Sequence, residues 1–235
     1  MGHQVQINSW GLRGEEPGPK RGRRWLALGD SSVFGHGVAD EHSFPVQLQQ
    51  RLGEQVLNGG VPGYTCEQAR AQNERLAPLQ PDGLLLYLMI SDSFRPHPND
   101  TVFLPGLPFR ELGLTRLAVA AAAWRARDRG LRVSPQDFED CLAELAREHQ
   151  GPTVFLVPVT DEAGRGRPEP ELDPYREAIA RQASKRGTLL DLGPLFQADG
   201  RPIELLMSDP VHPTAEGQTL IAEALAETIR GMEER

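Results

Sequence analysis

Short apolar runs recur along the chain, each stopped by turn-forming residues. Trp25-Leu26-Ala27-Leu28 ends at Gly29-Asp30, Val56-Leu57 at Asn58-Gly59-Gly60, and Leu84 to Ile90 at Ser91-Asp92. Val154 to Val159 and Leu189-Leu190 complete five predicted strands. Continuous apolar runs bounded by such signals indicate strands buried on both faces. Between them, apolar residues return every three or four positions: Phe44 to Leu52, Thr65 to Leu76, Leu114 to Arg127, Phe138 to Ala146, Leu172 to Ala183, and Ile221, Leu225 and Ile229 near the end. That spacing puts one apolar stripe on a helix. The alternation predicts an α/β fold, a three-layer α/β/α, flavodoxin-like, doubly wound parallel sheet of five strands. Ligands of such folds sit beyond the carboxyl ends of the strands, and Ser31, Gly60, Ser91 and His212 all follow strands.

Residues 25–235 read as a single domain, a common size for an α/β unit. Residues 1–24 read as an N-terminal extension: Gln4 to Asn8 alternates as an edge strand does, and Pro17 to Arg24 is a linker. The basic cluster Lys20-Arg21-Gly22-Arg23-Arg24 reads as a solvated strand entry. Phe94 to Gly113, with Arg95, His97, Asn99 and Asp100, is the longest irregular interval. A loop of that length is a lid or specificity wall, or else disordered.

Composition narrows the function. With 39% hydrophobic and 25% charged residues the chain is of ordinary globular type. A net charge of −8 argues against a nucleic-acid partner, which demands a surplus of Lys and Arg. The two cysteines, Cys66 and Cys141, lie on separate predicted helices without CxxC spacing; this excludes a zinc or redox motif and leaves a single disulfide open. There is no apolar stretch of about 18 residues and no signal-peptide pattern near the start. The chain as it stands is expected in the cytoplasm, or outside the cell if it derives from a longer precursor.

Gly29-Asp30-Ser31-Ser32 places a hydroxyl in a glycine-flanked turn directly after a strand. A serine there is either a helix N-cap or a nucleophile, and the latter needs a base. Ser208-Asp209-Pro210-Val211-His212-Pro213 supplies a carboxylate three residues before an imidazole. In a proline-constrained turn the pair serves either as helix caps or as an oriented general base. His36, His42 and His97 read as solvated or capping residues, and no metal spacing, P-loop or GxGxxG is present; no cofactor is expected.

Taken in order, the G-D-S after the first strand, Asn58 to Tyr64 after the second and D-x-x-H-P before the last helix resemble three of the four blocks of the SGNH, or GDSL-type, esterase and lipase family. The resemblance spans Trp25 to Ile229. It implies Ser31 as nucleophile, His212 as base and Asp209 as its orienting carboxylate. It also implies an oxyanion hole built from the Ser31 N–H, a second-block glycine N–H (Gly60, with Gly59 as the other register) and a third-block asparagine side chain. Here the chain departs from the pattern: Ser91 stands where Gly-x-Asn-Asp has its asparagine. Losing one oxyanion donor costs on the order of 100- to 1000-fold. The resemblance therefore implies a serine hydrolase acting on short-chain or carbohydrate acyl esters, or transferring the acyl group to a sugar hydroxyl with the same residues. The alternative at Ser91 is a weakened or inactive module that binds an acylated glycan or a protein partner. A flavodoxin-like nucleotide binder lacks a phosphate-cradling loop. Ile7 to Gly14 resembles a segment that precedes the G-D-S strand in some bacterial SGNH proteins, and it presents Arg13 as a residue that can face the site.

Overall fold

The computed structural model of the chain describes residues 4–94 and 131–234. Five parallel strands, β1 (Arg24–Gly29), β2 (Gln55–Gly60), β3 (Gly83–Tyr87), β4 (Thr153–Val157) and β5 (Thr188–Asp191), form one sheet in the order β2-β1-β3-β4-β5. This is the flavodoxin-like, doubly wound order expected from the alternation of elements. The chain leaves β1 for β2 on one side and returns to β3 on the other, so the carboxyl end of β1 sits at the crevice where strand order reverses.

Side-chain alternation along each strand divides the core. Leu26, Leu28, Leu84, Leu86 and Phe155 point to one face, where they meet α3 (Cys66–Leu76), α5 (Pro135–Glu148) and α7 (Asp173–Arg186). Trp25, Ala27, Leu85, Tyr87 and Leu156 point to the other, toward α2 (Phe44–Leu52), α8 (Leu192–Ala198) and α10 (Ala215–Glu233). Four short α-helical turns, α1 (Ser31–Phe34), α4 (Ile90–Ser93), α6 (Asp161–Gly164) and α9 (Ile203–Leu206), and two 3-10 turns, Asp40–His42 and Ala77–Leu79, complete the described elements. Among the described residues no helix is long and apolar enough to cross a membrane.

Strand β3 is shorter than its apolar run, because Met89 takes φ 147° and turns the chain into α4. Leu88, Met89 and Ile90 remain buried past the strand end. The interval 95–113 with Arg95, His97, Asn99 and Asp100, and the helix predicted over 114–127, lie outside the described residues. On either side of that segment, Arg132 N–H donates to Phe94 O at 2.7 Å and Val133 N–H to Asp92 O at 3.1 Å.

Ahead of β1, residues 7–13 form a strap docked on the edge of the sheet. Ile7 and Arg13 bridge one another antiparallel, Arg13 N–H donates to Asn58 O on the edge strand β2, and Leu12 is buried in the core. The solvated strand entry holds for Lys20, which pairs with Asp82, but not for Arg24. Arg24 is 3% exposed and donates to Leu79 O and Gly18 O, because β1 begins inside the body of the protein. Cys66 and Cys141 form a disulfide between the start of α3 and the middle of α5, with Cα atoms 6.2 Å apart and 75 residues between them. Closing a loop of that length stabilises the folded chain by roughly 4 kcal/mol through lost unfolded-state entropy.

Candidate active site

The turn after β1 assigns its capping and its hydroxyl to different residues. Asp30, not Ser31 or Ser32, is the N-cap of α1, and its Oδ1 accepts from Ser32 N–H at 3.0 Å. Ser31, at the first helical position, therefore has its side chain free, and its Oγ lies 2.7 Å from His212 Nε2. The same separation of roles holds at α10. Thr214 caps that helix by accepting from Gly217 N–H, which leaves Asp209 and His212 in the preceding loop.

Asp209 Oδ2 lies 2.6 Å from His212 Nδ1, while its Oδ1 accepts from the N–H groups of Val211 and His212, each at 2.9 Å. Burial alone would raise the Asp209 carboxyl, but these backbone bonds and the imidazole outweigh it and hold it below its ordinary value. Ser32 Oγ donates to Val211 O at 3.1 Å, tying the Ser31 turn to the Asp209–His212 loop. Ser208 donates to His212 O from both its N–H and its hydroxyl. His36 places its ring 4.7 Å from that of His212, tilted by 42°. A cavity of about 160 Å³ opens on the other side of His36, bounded by Val38, His42, Ser208, Pro213 and Ala215 among others; neither Ser31 nor His212 lines it. His36 was read from sequence as solvated or capping; only its position over His212 distinguishes it, and no sequence signal carries that.

The two groups expected as second and third oxyanion donors, Gly60 and Ser91, both have partners in the structure. The Gly60 N–H donates to Asn58 Oδ1 at 3.1 Å, and Gly60 is glycine because a Cβ there would overlap the backbone of Val33 and Phe34. Gly59 is likewise a strand residue: its carbonyl accepts from Gln72, and a Cβ would press on Ala27 O. Ser91 Oγ donates to Asp30 Oδ2 at 3.0 Å, so its single proton is committed to a carboxylate. Asp30 is 2% exposed; burial raises its carboxyl, against the lowering effect of the bonds from Ser32 and Ser91. Met89, with its glycine-like φ, stands where the third block's Gly-x-Asn-Asp has glycine.

Sequence reasoning passed over Gly63. It lies in the turn after β2 at φ 79°, and among the described residues nothing accepts from its N–H. Arg132 binds Gly63 O at 3.0 Å and Ser91 O at 3.1 Å, joining the turns after β2 and β3. Among the described residues no group of three or more His, Cys, Asp or Glu side chains is placed to hold a metal ion.

Ser31, His212 and Asp209 thus form a hydrogen-bonded chain at the strand-order reversal of the parallel sheet, where ligands of such folds bind. Residues 27–220 match the GDSL-like Lipase/Acylhydrolase family, and the chain belongs to it. No curated protein matches the chain at a significant level. Among solved structures, the lipase/acylhydrolase from Enterococcus faecalis is similar with TM-score 0.64 at 16% identity, covering 89% of this chain and 96% of that one. An alpha/beta hydrolase enzyme from the metagenome of Lake Arreo, Spain, is similar with TM-score 0.61 at 21% identity over 88% and 94% of the two chains. An acetyl xylan esterase is similar with TM-score 0.61 at 14% identity over 88% and 99%. These likenesses bear on the fold.

Proposed function

We propose that the protein is a serine esterase that cleaves short-chain acyl esters, carbohydrate O-acyl esters among them, through an acyl-enzyme on Ser31. The observation that carries this reading is the continuous chain from Asp209 to His212 to Ser31, at 2.6 and 2.7 Å, inside the reach of general-base catalysis. Ser31 Oγ attacks the ester carbonyl as His212 Nε2 takes its proton. The C–O bond to the alcohol then breaks, and His212 returns the proton to the departing oxygen. Water repeats the sequence on the acyl-enzyme, with His212 again taking the proton, and releases the acid. Asp209 keeps Nδ1 protonated, so that Nε2 presents its lone pair to the serine.

In this reading the oxyanion is held by the N–H groups of Ser31 and Gly63, both backbone and neither engaged among the described residues. One structural neighbour being an acetyl xylan esterase agrees with an acetylated carbohydrate as substrate. Purified protein is expected to hydrolyse p-nitrophenyl acetate and to be labelled by a fluorophosphonate at Ser31, with Ser31→Ala at background in both assays. Undiminished turnover by Ser31→Ala would remove Ser31 from the mechanism.

The commitment of Ser91 to Asp30 favours one further reading, a module whose hole is too weak for turnover and which binds an acylated glycan or a protein partner. Ser91→Asn separates the two. A carboxamide has two N–H protons, so it can keep the bond to Asp30 and still aim one proton at the oxyanion. For an esterase short of one donor the expected outcome is a rise in kcat of about tenfold or more, bounded by the value of one such donor. A binding module shows no rise and no labelling of the unaltered protein.

A further inference from the structure

The N-terminal strap lies outside residues 27–220, the part of the chain that matches the family. It is nonetheless internally ordered. Asn8 Oδ1 accepts from the N–H groups of Trp10 and Leu12, Asn8 Nδ2 donates to Glu15 O, and Gly14 N–H donates to Gln6 O. This hairpin delivers one side chain into the protein. The Arg13 side chain is 1% exposed and spends its whole guanidinium on the segment that follows Ser31. Nη1 donates to Phe34 O at 2.7 Å and Gly35 O at 2.5 Å, Nη2 to Val38 O at 2.7 Å, and Nε to Asp40 Oδ1 at 2.6 Å. The guanidinium also lies 5.0 Å from the centre of the Phe34 ring.

Three of those acceptors are carbonyls at the carboxyl end of α1 and in the turn after it, and the fourth is the Asp40 carboxylate. Carbonyls at a helix end lack intrahelical partners, and a cation there is favourable. Because α1 is only four residues long, its far end is one turn from Ser31. The clamped segment also carries His36, whose N–H donates to Ser31 O and whose ring faces His212. We propose that Arg13 is a positioning residue for the nucleophile: from outside the family region it fixes α1, and with it the Ser31 Oγ to His212 Nε2 distance. The strap is thus part of the catalytic apparatus. This rests on the esterase reading above.

The test uses the full chain with Arg13→Ala and Arg13→Lys, assayed on p-nitrophenyl acetate well below each variant's melting temperature. The kcat is expressed per Ser31 site titrated with a fluorophosphonate, so that unfolded protein does not count. Arg13→Ala is expected to lose about 10- to 100-fold in kcat with KM changed by less than about threefold, the size of effect that a small misplacement of a catalytic group produces. Guanidinium ion at a non-denaturing concentration is expected to recover part of that loss. Arg13→Lys should fall between, since an ammonium cannot reproduce the fork. A kcat per site within about twofold of the unaltered protein, where misplacement predicts far more, overturns the proposal. If Arg13→Ala does not fold, Arg13→Lys decides by the same criterion. An unaltered protein that neither turns over ester nor labels at Ser31 sinks the esterase reading and this one together. An active protein with unimpaired Arg13 variants sinks this one alone.

Discussion

Asp209→Asn is expected to lower kcat by about 10,000-fold with little effect on folding, because it presents His212 in the wrong tautomer. The local bonding dictates which way the amide faces. Asp209 Oδ1 is held by two backbone N–H donors, from Val211 and His212, and only the carbonyl oxygen of an asparagine can accept them. The amide nitrogen is then left in the place of Oδ2, 2.6 Å from His212 Nδ1, and can only donate. Nδ1 becomes the acceptor, the ring proton moves to Nε2, and the atom facing Ser31 loses its lone pair. Steady-state hydrolysis together with the rate of fluorophosphonate labelling measures this. A variant within about tenfold of the unaltered protein would show that Asp209 does not set the tautomer, since a wrong tautomer costs far more.

The second large effect concerns stability. Asp92 is fully buried; its Oδ1 accepts from Cys66 N–H at 2.8 Å, and among the described residues its Oδ2 has no partner. Burial, aided by the nearby Asp30 and opposed by the Cys66 bond and Arg132, raises this carboxyl to about 7. An unfolded aspartate titrates near 3.9. Between those two values the folded chain retains a proton that the unfolded chain has released, so stability falls as pH rises through the window and levels off above about 7. The full swing is roughly 4 kcal/mol, or about 10 °C in melting temperature for a chain of this size. Asp92→Asn keeps the acceptor for Cys66 and removes the titration. It is expected to match the unaltered protein near pH 4 and to melt about 10 °C higher near pH 8. Parallel melting curves for the two proteins across that range would rule Asp92 out as the source.

Much of the architecture was legible because local pattern suffices for it. Buried parallel strands write themselves as apolar runs, and the helices as stripes, so five strands and their order class could be read from one chain. Ser31, Asp209 and His212, which lie within hydrogen-bonding distance of one another in turn, stand out in the string only through the order of the motifs that resemble the family, since each turn alone reads equally as a helix cap. What stayed hidden depends on atoms distant in sequence. Gly60 and Gly63 look alike in the string, yet Gly60 is required by the approach of Phe34 across the sheet and Gly63 by a turn with positive φ. The hydroxyl of Ser91 takes its direction from Asp30, 61 residues away. Arg13 reads as a residue of a polar turn that can face the site, and only the folded chain gives its guanidinium four acceptors, on Phe34, Gly35, Val38 and Asp40. The pairing of Cys66 with Cys141 follows from packing of α3 on α5, which no spacing rule encodes.

The two backbone bonds that join Phe94 to Arg132 and Asp92 to Val133 have a meaning for how such a protein diversifies. They close the turn after β3 with main-chain groups alone, so that turn is kept while the side chains around it change.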